Sequence, residues 1–365
     1  MKEIRKILTV YDASKDSEEN FALASVVNVE ESSYRRIGAR MLVSSTGNWI
    51  GGISGGCLEG DALERSQKAI FNNQASTIIY DTMDDDDKQI GVGLGCNGRL
   101  EVLFRPIDKS DPQNPAEQLR QLLHIKEAAV MIKVIDASAN VKLLGKSILA
   151  ENLTDDFQFC NMDTSILKSQ IGETKTNAKS QILNLENKSG EKLKLLFEFI
   201  RPEMKLIIVG DNYDVNSLLE VASVMGWEIQ LVGRAKKFSK EIFAKVKRVT
   251  EYEDFNQLNI NEYTAVVLMS HDYNWDKTIL SQVIDKEPTY LGLLGPKKRM
   301  LKLKNELGLE ALDKQAHFYA PVGLDIGAES PEEIALSICA EIVASFRNRE
   351  GGFLRERVGT IHFRS

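Results

Sequence analysis

The chain has 365 residues, a formal net charge of -7, and 43% hydrophobic against 27% charged residues. That length points to two domains, and the apolar share suffices for two cores. The 46 Lys and Arg are scattered rather than gathered into a basic stripe, so nucleic-acid binding is not expected. No stretch reaches the roughly 20 apolar residues that span a membrane. Met1 to Lys6 lacks the apolar core of a signal peptide, so the expected location is the cytoplasm. Cys57, Cys96, Cys160 and Cys339 are widely spaced with no Cys-x-x-Cys, which argues against a disulfide framework. The histidines do not cluster with them, so a zinc site is not expected either.

The first third reads as strands and turns. Phe21 to Val29 is a strand candidate. Arg40 to Val43 and Trp49-Ile50 flank Ser45-Thr46-Gly47-Asn48, which reads as a hairpin. A helical pattern runs from Leu58 to Phe71, and Ser76 to Tyr80 and Arg99 to Phe104 read as strands. Between those strands, Asp84 to Asp87 reads as a solvated loop. Asp111-Pro112 and Asn114-Pro115 make Ile107 to Pro115 a joint. Asp163 to Lys192, rich in Lys, Asn, Ser and Thr, reads as a second joint, either a linker or solvated strands and turns. Leu195 to Ile200 follows as a strand closed by Pro202.

From Lys205 the pattern alternates strand and helix. Lys205 to Val209 is a buried parallel strand entering a turn at Gly210. A helix from Val215 to Met225 stops at Gly226, and Ile229 to Val232 is the next strand. Ala265 to Met269 and Tyr290 to Leu294 add further strands, giving a doubly wound pattern. Ser330-Pro331-Glu332-Glu333 opens a capped helix. Ile334, Ile338, Ile342 and Phe346 then form its buried stripe, with Cys339 as a small apolar filler.

Three glycine-rich turns are candidate ligand sites. Gly51 to Gly60 contains Ser54-Gly55-Gly56-Cys57-Leu58-Glu59 between a strand and a helix. Amides at a helix N-terminus can hold an anion, and a cysteine there tends toward the thiolate. Gly91 to Gly98 holds a second thiol at Gly95-Cys96. The plain alternative is two tight turns carrying thiols. The third turn, Gly210-Asp211-Asn212-Tyr213-Asp214-Val215, keeps only the first glycine of a dinucleotide fingerprint. The acid expected at the end of the second strand is replaced by Gly233, followed by Arg234, so NAD(P) is not expected. Ser270-His271-Asp272 and the turn Gly292 to Arg299, with Gly295 and three basic residues, also lie at strand C-terminal ends.

Together these segments resemble the XdhC/CoxI family, accessory factors of xanthine dehydrogenase and related enzymes. The likeness rests on Gly38 to Val43, Ser54 to Gly60, Gly93 to Cys96, His271-Asp272, the Gly292 and Gly295 turn, and Pro321 to Glu329. In the family, the second-domain loop usually carries a second glycine and a histidine where this chain has Asn212 and Tyr213. The second strand usually ends in aspartate where this chain has Gly233. The resemblance implies an N-terminal mixed α+β domain over residues 1–200, its signature in 1–107, and a Rossmann-like doubly wound domain over 203–365. It implies an accessory protein rather than an enzyme. Such a protein transiently binds molybdenum cofactor of the molybdopterin type and supports its sulfuration by a cysteine desulfurase. It then delivers the cofactor to an apo molybdenum hydroxylase of the xanthine dehydrogenase kind. On that reading Arg40, Ser54, Gly55, Gly56, Cys57, Glu59, Gly95, Cys96, Gly210, His271, Asp272, Gly292, Gly295 and Arg299 contact cofactor, and Cys57 or Cys96 lies near molybdenum. A homodimer is expected from the same resemblance and from the commonness of two-fold symmetry. The competing readings are a nicotinamide-dependent oxidoreductase using the second domain, and a scaffold that has lost its ligand.

Overall fold

The structure is a computed structural model that describes residues 1–31, 34–81, 98–137, 139–154, 159–308 and 317–358. The chain divides into two compact units at Pro202–Glu203. The first unit opens with α1 (Lys2–Ala13), whose Ile4, Ile7, Leu8 and Tyr11 fall on one buried face at helical spacing. Then come β1 (Phe21–Glu31), β2 (Arg40–Ser44), β3 (Trp49–Gly51), α2 (Glu59–Asn72), β4 (Ser76–Asp81) and β5 (Gly98–Ile107). These strands form an antiparallel sheet in the order β3-β2-β1-β5-β4. The β2–β3 hairpin is the one read from sequence, with Gly47 at φ +90° in its turn.

The unit continues with α3 (Pro115–Leu122), β6 (Ala129–Asp136), β7 (Ser147–Leu149), α4 (Thr164–Asn177), β8 (Gln181–Glu186) and β9 (Lys192–Ile200). Its second antiparallel sheet has the order β7-β6-β9-β8. Leu23 and Leu42 of one sheet and Met131 and Leu149 of the other share one core with α1 and α3. Two sequence readings are corrected here. Asn114-Pro115 starts a helix instead of breaking structure: the Asn114 side chain accepts from the Ala116 and Glu117 amides, and Pro115 takes the first turn. The stretch read as strands and turns after Asp163 contains the 14-residue helix α4, capped by Asp163.

The second unit contains β10 (Lys205–Val209), α5 (Asp214–Met225), β11 (Glu228–Val232), α6 (Lys240–Lys245), β12 (Arg248–Thr250), β13 (Thr264–Leu268), α7 (Tyr273–Val283), β14 (Tyr290–Leu293), α8 (Lys297–Leu307), β15 (Phe318–Tyr319) and α9 (Pro331–Phe346). Its six strands are parallel in the order β12-β11-β10-β13-β14-β15. This is the Rossmann-like order, with the direction of progression reversing between β10 and β13. Alternate residues explain the two-sided burial. Leu206 and Ile208 face the core with α5 and α9. Ile207 and Val209 face the opposite core with α7 and with Leu303 of α8. The Ser330–Glu333 capping box forms as read, and Ile338, Cys339 and Ile342 are buried beneath it. Among the described residues no helix is long and apolar enough to cross a membrane.

Candidate functional site

Strand ends meet where the sheet order reverses, and a cleft of about 650 Å³ opens there in the second unit. It lies beyond β10, β13 and β14 and against the start of α9. Gly210 is required at the end of β10, because a Cβ there would stand 2.6 Å from the Met269 carbonyl oxygen. Leu218, Met269, Leu294, Ile334 and Ile338 give apolar walls. Asn212, Asp214, His271 and Glu329 supply the polar groups, and the Tyr213 ring is 74% exposed.

These polar groups are held from several elements. Asn212 Nδ2 donates to the Ser270 carbonyl at 2.7 Å. His271 follows the end of β13 with φ +57°, a conformation that L side chains rarely adopt, and its Nε2 lies 2.6 Å from Asp214 Oδ2. The other Asp214 oxygen, Oδ1, is buried and takes no hydrogen bond. Asp214 opens α5 and was not singled out from sequence, although an acid in the first turn after a nucleotide-type strand is a readable signal. Glu329, also among the cleft residues, entered the sequence reading only as the end of a motif.

Other candidates from sequence make contacts of their own. Asp272 caps α7 by accepting from the Asn274 amide at 2.9 Å and the Trp275 amide at 3.2 Å, so Asp214 and not Asp272 holds His271. Arg299 pairs with Asp276, a carboxylate 1% exposed that also accepts from Ser270 Oγ. Gly295 lines the cleft beside the Arg299 stem, and Gly292 packs against Val322 and Tyr290.

The fingerprint turn carries its own charge pair. Asp211 accepts from Arg234 Nε at 2.5 Å, Arg234 Nη2 at 2.9 Å and Lys237 Nζ at 2.9 Å. Burial pushes its carboxyl up, but the Arg234 and Lys237 hydrogen bonds more than reverse this and hold it at about 2. Gly233 makes the arrangement fit: a Cβ there would lie 2.9 Å from Asp211 Cβ and 3.0 Å from the Gly210 oxygen.

In the first unit the loop before α2 closes on itself. Glu59 Oε1 accepts from the Ile53 amide at 3.2 Å and the Ser54 amide at 2.8 Å, and Oε2 accepts from the Gly56 amide at 3.0 Å. Ser54 donates its hydroxyl to Glu59, and its Oγ accepts from the Cys57 and Leu58 amides at 3.1 and 3.0 Å. The amides expected to cradle an anion therefore already face side chains of the same loop. Gly55 packs on the Tyr34 ring, Gly56 has φ +111°, and Cys57 is exposed.

Arg40 has partners of its own within the first unit. It is buried, with Nη2 2.6 Å from Glu198 Oε1, while Lys133 Nζ lies 2.6 Å from Glu198 Oε2. This ion cluster joins β2 to β6 and β9. A lone glutamate inside the apolar run Leu195 to Ile200 was its signal in the sequence. Gly95, Cys96 and the run Asp84 to Asp87 lie outside the described residues. Among the described residues no three His, Cys, Asp or Glu are grouped to hold a metal ion.

Comparisons with known proteins agree with this two-unit architecture. Residues 14–81 match the XdhC and CoxI family, and residues 206–342 match the XdhC Rossmann domain. The chain is 31% identical to a Bacillus subtilis protein named as a probable xanthine dehydrogenase subunit, over 92% of this chain and 96% of that relative. It is 22% identical to the molybdenum cofactor insertion chaperone PaoD of Escherichia coli, over 88% of this chain and 82% of that one. A crystal structure described as a xanthine dehydrogenase from Bacillus halodurans superposes with a TM-score of 0.71 at 26% identity, covering 94% of this chain and 96% of that chain. With both family regions in order and a relative above 30% identity matched along nearly its whole length, this chain belongs to the XdhC/CoxI family.

Proposed function

We propose that this protein is an accessory factor that binds molybdenum cofactor of the molybdopterin type and supports its sulfuration by a cysteine desulfurase. It then delivers the cofactor to a xanthine dehydrogenase-like molybdenum hydroxylase. The observation that carries this reading is likeness, over 88% of the chain, to a relative named as a molybdenum cofactor insertion chaperone. The cofactor is cargo here, not a resident group. The cleft of the second unit, with apolar walls and a few fixed polar groups, is of a size and kind that suits a heterocyclic ligand. Cys57, exposed on its closed loop, is the thiol we assign to the sulfur-handling part of the task.

A nicotinamide-dependent oxidoreductase is the weaker reading. The pyrophosphate of a dinucleotide needs bare backbone at the fingerprint turn, and Asp211 places a carboxylate there. Anaerobic equilibrium binding of isolated molybdenum cofactor to the full chain tests the proposal, with NADH titrated in parallel and an apo hydroxylase as acceptor. Micromolar or tighter cofactor binding and transfer of activity to the acceptor are expected. Clear NADH binding without cofactor binding would overturn it.

A further inference from the structure

The two sheets of the first unit share an interior that is not wholly apolar. Strand register places its polar members. Ser25 of β1 stands opposite Arg40 of β2, and Leu23 of β1 stands opposite Arg105 of β5. In the other sheet Lys133 of β6 stands opposite Ser147 of β7. Directly opposed residues share a face of their sheet, so each pair projects together. With Gln118 of α3, these residues border a cavity of about 20 Å³. That is room for one water or one monatomic ion, and not for a polyatomic anion such as phosphate.

Hydrogen-bond donors are in excess around this space. Lys133 is 6% exposed, and its Nζ donates to Glu198 Oε2 at 2.6 Å. An ammonium has three N–H groups, and the other two meet no acceptor among the described residues. Ser25 is 4% exposed, and its hydroxyl also has no partner among the described residues. Arg105 donates to Ser147 Oγ at 3.0 Å, and Ser147 in turn donates to Gln118. Among the described residues no carboxylate lies within 4.0 Å of the Arg105 guanidinium. Charge is unbalanced in the same sense. Arg40, Arg105 and Lys133 all border the cavity, whereas Glu198, the carboxylate shared by Arg40 and Lys133, does not. Burial lowers the Lys133 pKa; Glu198 opposes this, and the Arg40 and Arg105 charges add to it. Buried cations and bare donors are unfavourable unless an acceptor of opposite sign joins them.

We propose that this cavity holds a single halide ion, chloride under ordinary conditions, with Lys133 and Arg105 as its cationic partners and Ser25 as its hydroxyl donor. A halide is small enough for the space and accepts N–H and O–H groups from several directions at once. A water also fits, but it leaves the charge unbalanced. The ion joins β1 and β5 to β6, so chloride concentration sets the stability of the first unit, independently of any cofactor.

The test exchanges the full chain into sodium gluconate and titrates in sodium chloride or bromide at constant ionic strength. For a dissociation constant of about 1–10 mM, about 100 mM halide should raise the melting temperature by about 3–10 °C. Chloride NMR linewidth should report the binding directly, and crystals grown with bromide should show an anomalous peak in the cavity. Ser25→Ala removes one donor, and Lys133→Met removes donors and a charge. Each should weaken halide binding about ten-fold or more, the effect of a hydrogen bond to a charged group, while keeping any general effect of salt on the surface. If Lys133→Met does not fold, Ser25→Ala and the bromide peak decide. A halide response undiminished in the folded variants, or a bromide peak only elsewhere, would place the effect at another site and sink the proposal. No halide response in the wild type would mean that the cavity holds water alone, which sinks it equally.

Discussion

Glu198→Gln isolates the electrostatics of the first unit. The carboxylate is 3% exposed and lies 2.6 Å from both Arg40 Nη2 and Lys133 Nζ. Burial alone would raise its pKa, but the Arg40 and Lys133 charges and hydrogen bonds reverse that and bring it from 4.5 down to about 2. The substitution leaves two buried cations without a counter-ion, and breaking such a cluster typically costs about 3–5 kcal/mol. At about 2–4 °C per kcal/mol for a unit of this size, melting should fall by about 6–20 °C. The folded pKa lies below the unfolded one, so the contribution is complete above about pH 4.5 and is lost as pH falls toward 2. Calorimetry of the full chain at pH 7 and again near pH 3 reads both effects. The gap between wild type and variant should be large at pH 7 and narrower near pH 3. Melting of Glu198→Gln within about 1 °C of wild type at pH 7 would refute the reasoning.

Among Cys57, Cys160 and Cys339, only Cys57 should react readily with iodoacetamide near neutral pH. Burial pushes the Cys160 thiol up to about 11 and the Cys339 thiol up to about 12, and peptide mapping after a timed reaction measures all three. Glu59→Gln should loosen the loop before α2, speeding amide exchange at Ile53, Ser54 and Gly56 at neutral pH. Burial raises the Glu59 pKa, but its Ser54 and backbone hydrogen bonds more than reverse this. The wild-type loop should therefore loosen as pH falls through that lowered value; a loop indifferent to both changes would count against the assignment. Gly233→Asp should destabilise the second unit by about 1–3 kcal/mol through its clash with Asp211. Adding Asp211→Gly, which removes the Cβ that a side chain at 233 would meet, should recover part of that loss in urea unfolding.

The second unit was legible because buried parallel strands announce themselves. Leu206 to Val209 is a continuous apolar run, Gly226 ends α5 at φ +77°, and the Ser330 capping box opens α9. The first unit was harder. In α4 only Leu167 and Thr174 are buried, so no apolar stripe marked the helix. At α3 the pair Asn114-Pro115 has the same residue types whether a chain breaks or a helix begins, and only the two amides accepted by Asn114 separate the cases. Arg40 was read as a ligand contact from the family resemblance alone. Its partners Lys133 and Glu198 are distant in sequence, and no local pattern joins them. The cleft was legible only as a set of strand ends. His271 was found, but the residue that fixes it lies 57 positions earlier on another element.

The fingerprint turn shows why a shared fold can keep a ligand's place while changing its chemistry. Relatives usually end the strand corresponding to β11 in aspartate, where an acid can meet a ribose. Here Gly233 occupies that position, and Asp211 fills the space beside it with Arg234 and Lys237 as partners. The two positions are coupled by contact: a Cβ at 233 would lie 2.9 Å from the Asp211 Cβ. The Asp211 carboxylate at this turn is an internal ion-pair partner, and Arg234 is directed toward it. The cleft across the switch point is open on its other side, where Asp214 and His271 stand. The fold alone would therefore suggest a dinucleotide, whereas Asp211 at the turn and Asp214 and Glu329 in the cleft set carboxylates where its phosphates would approach.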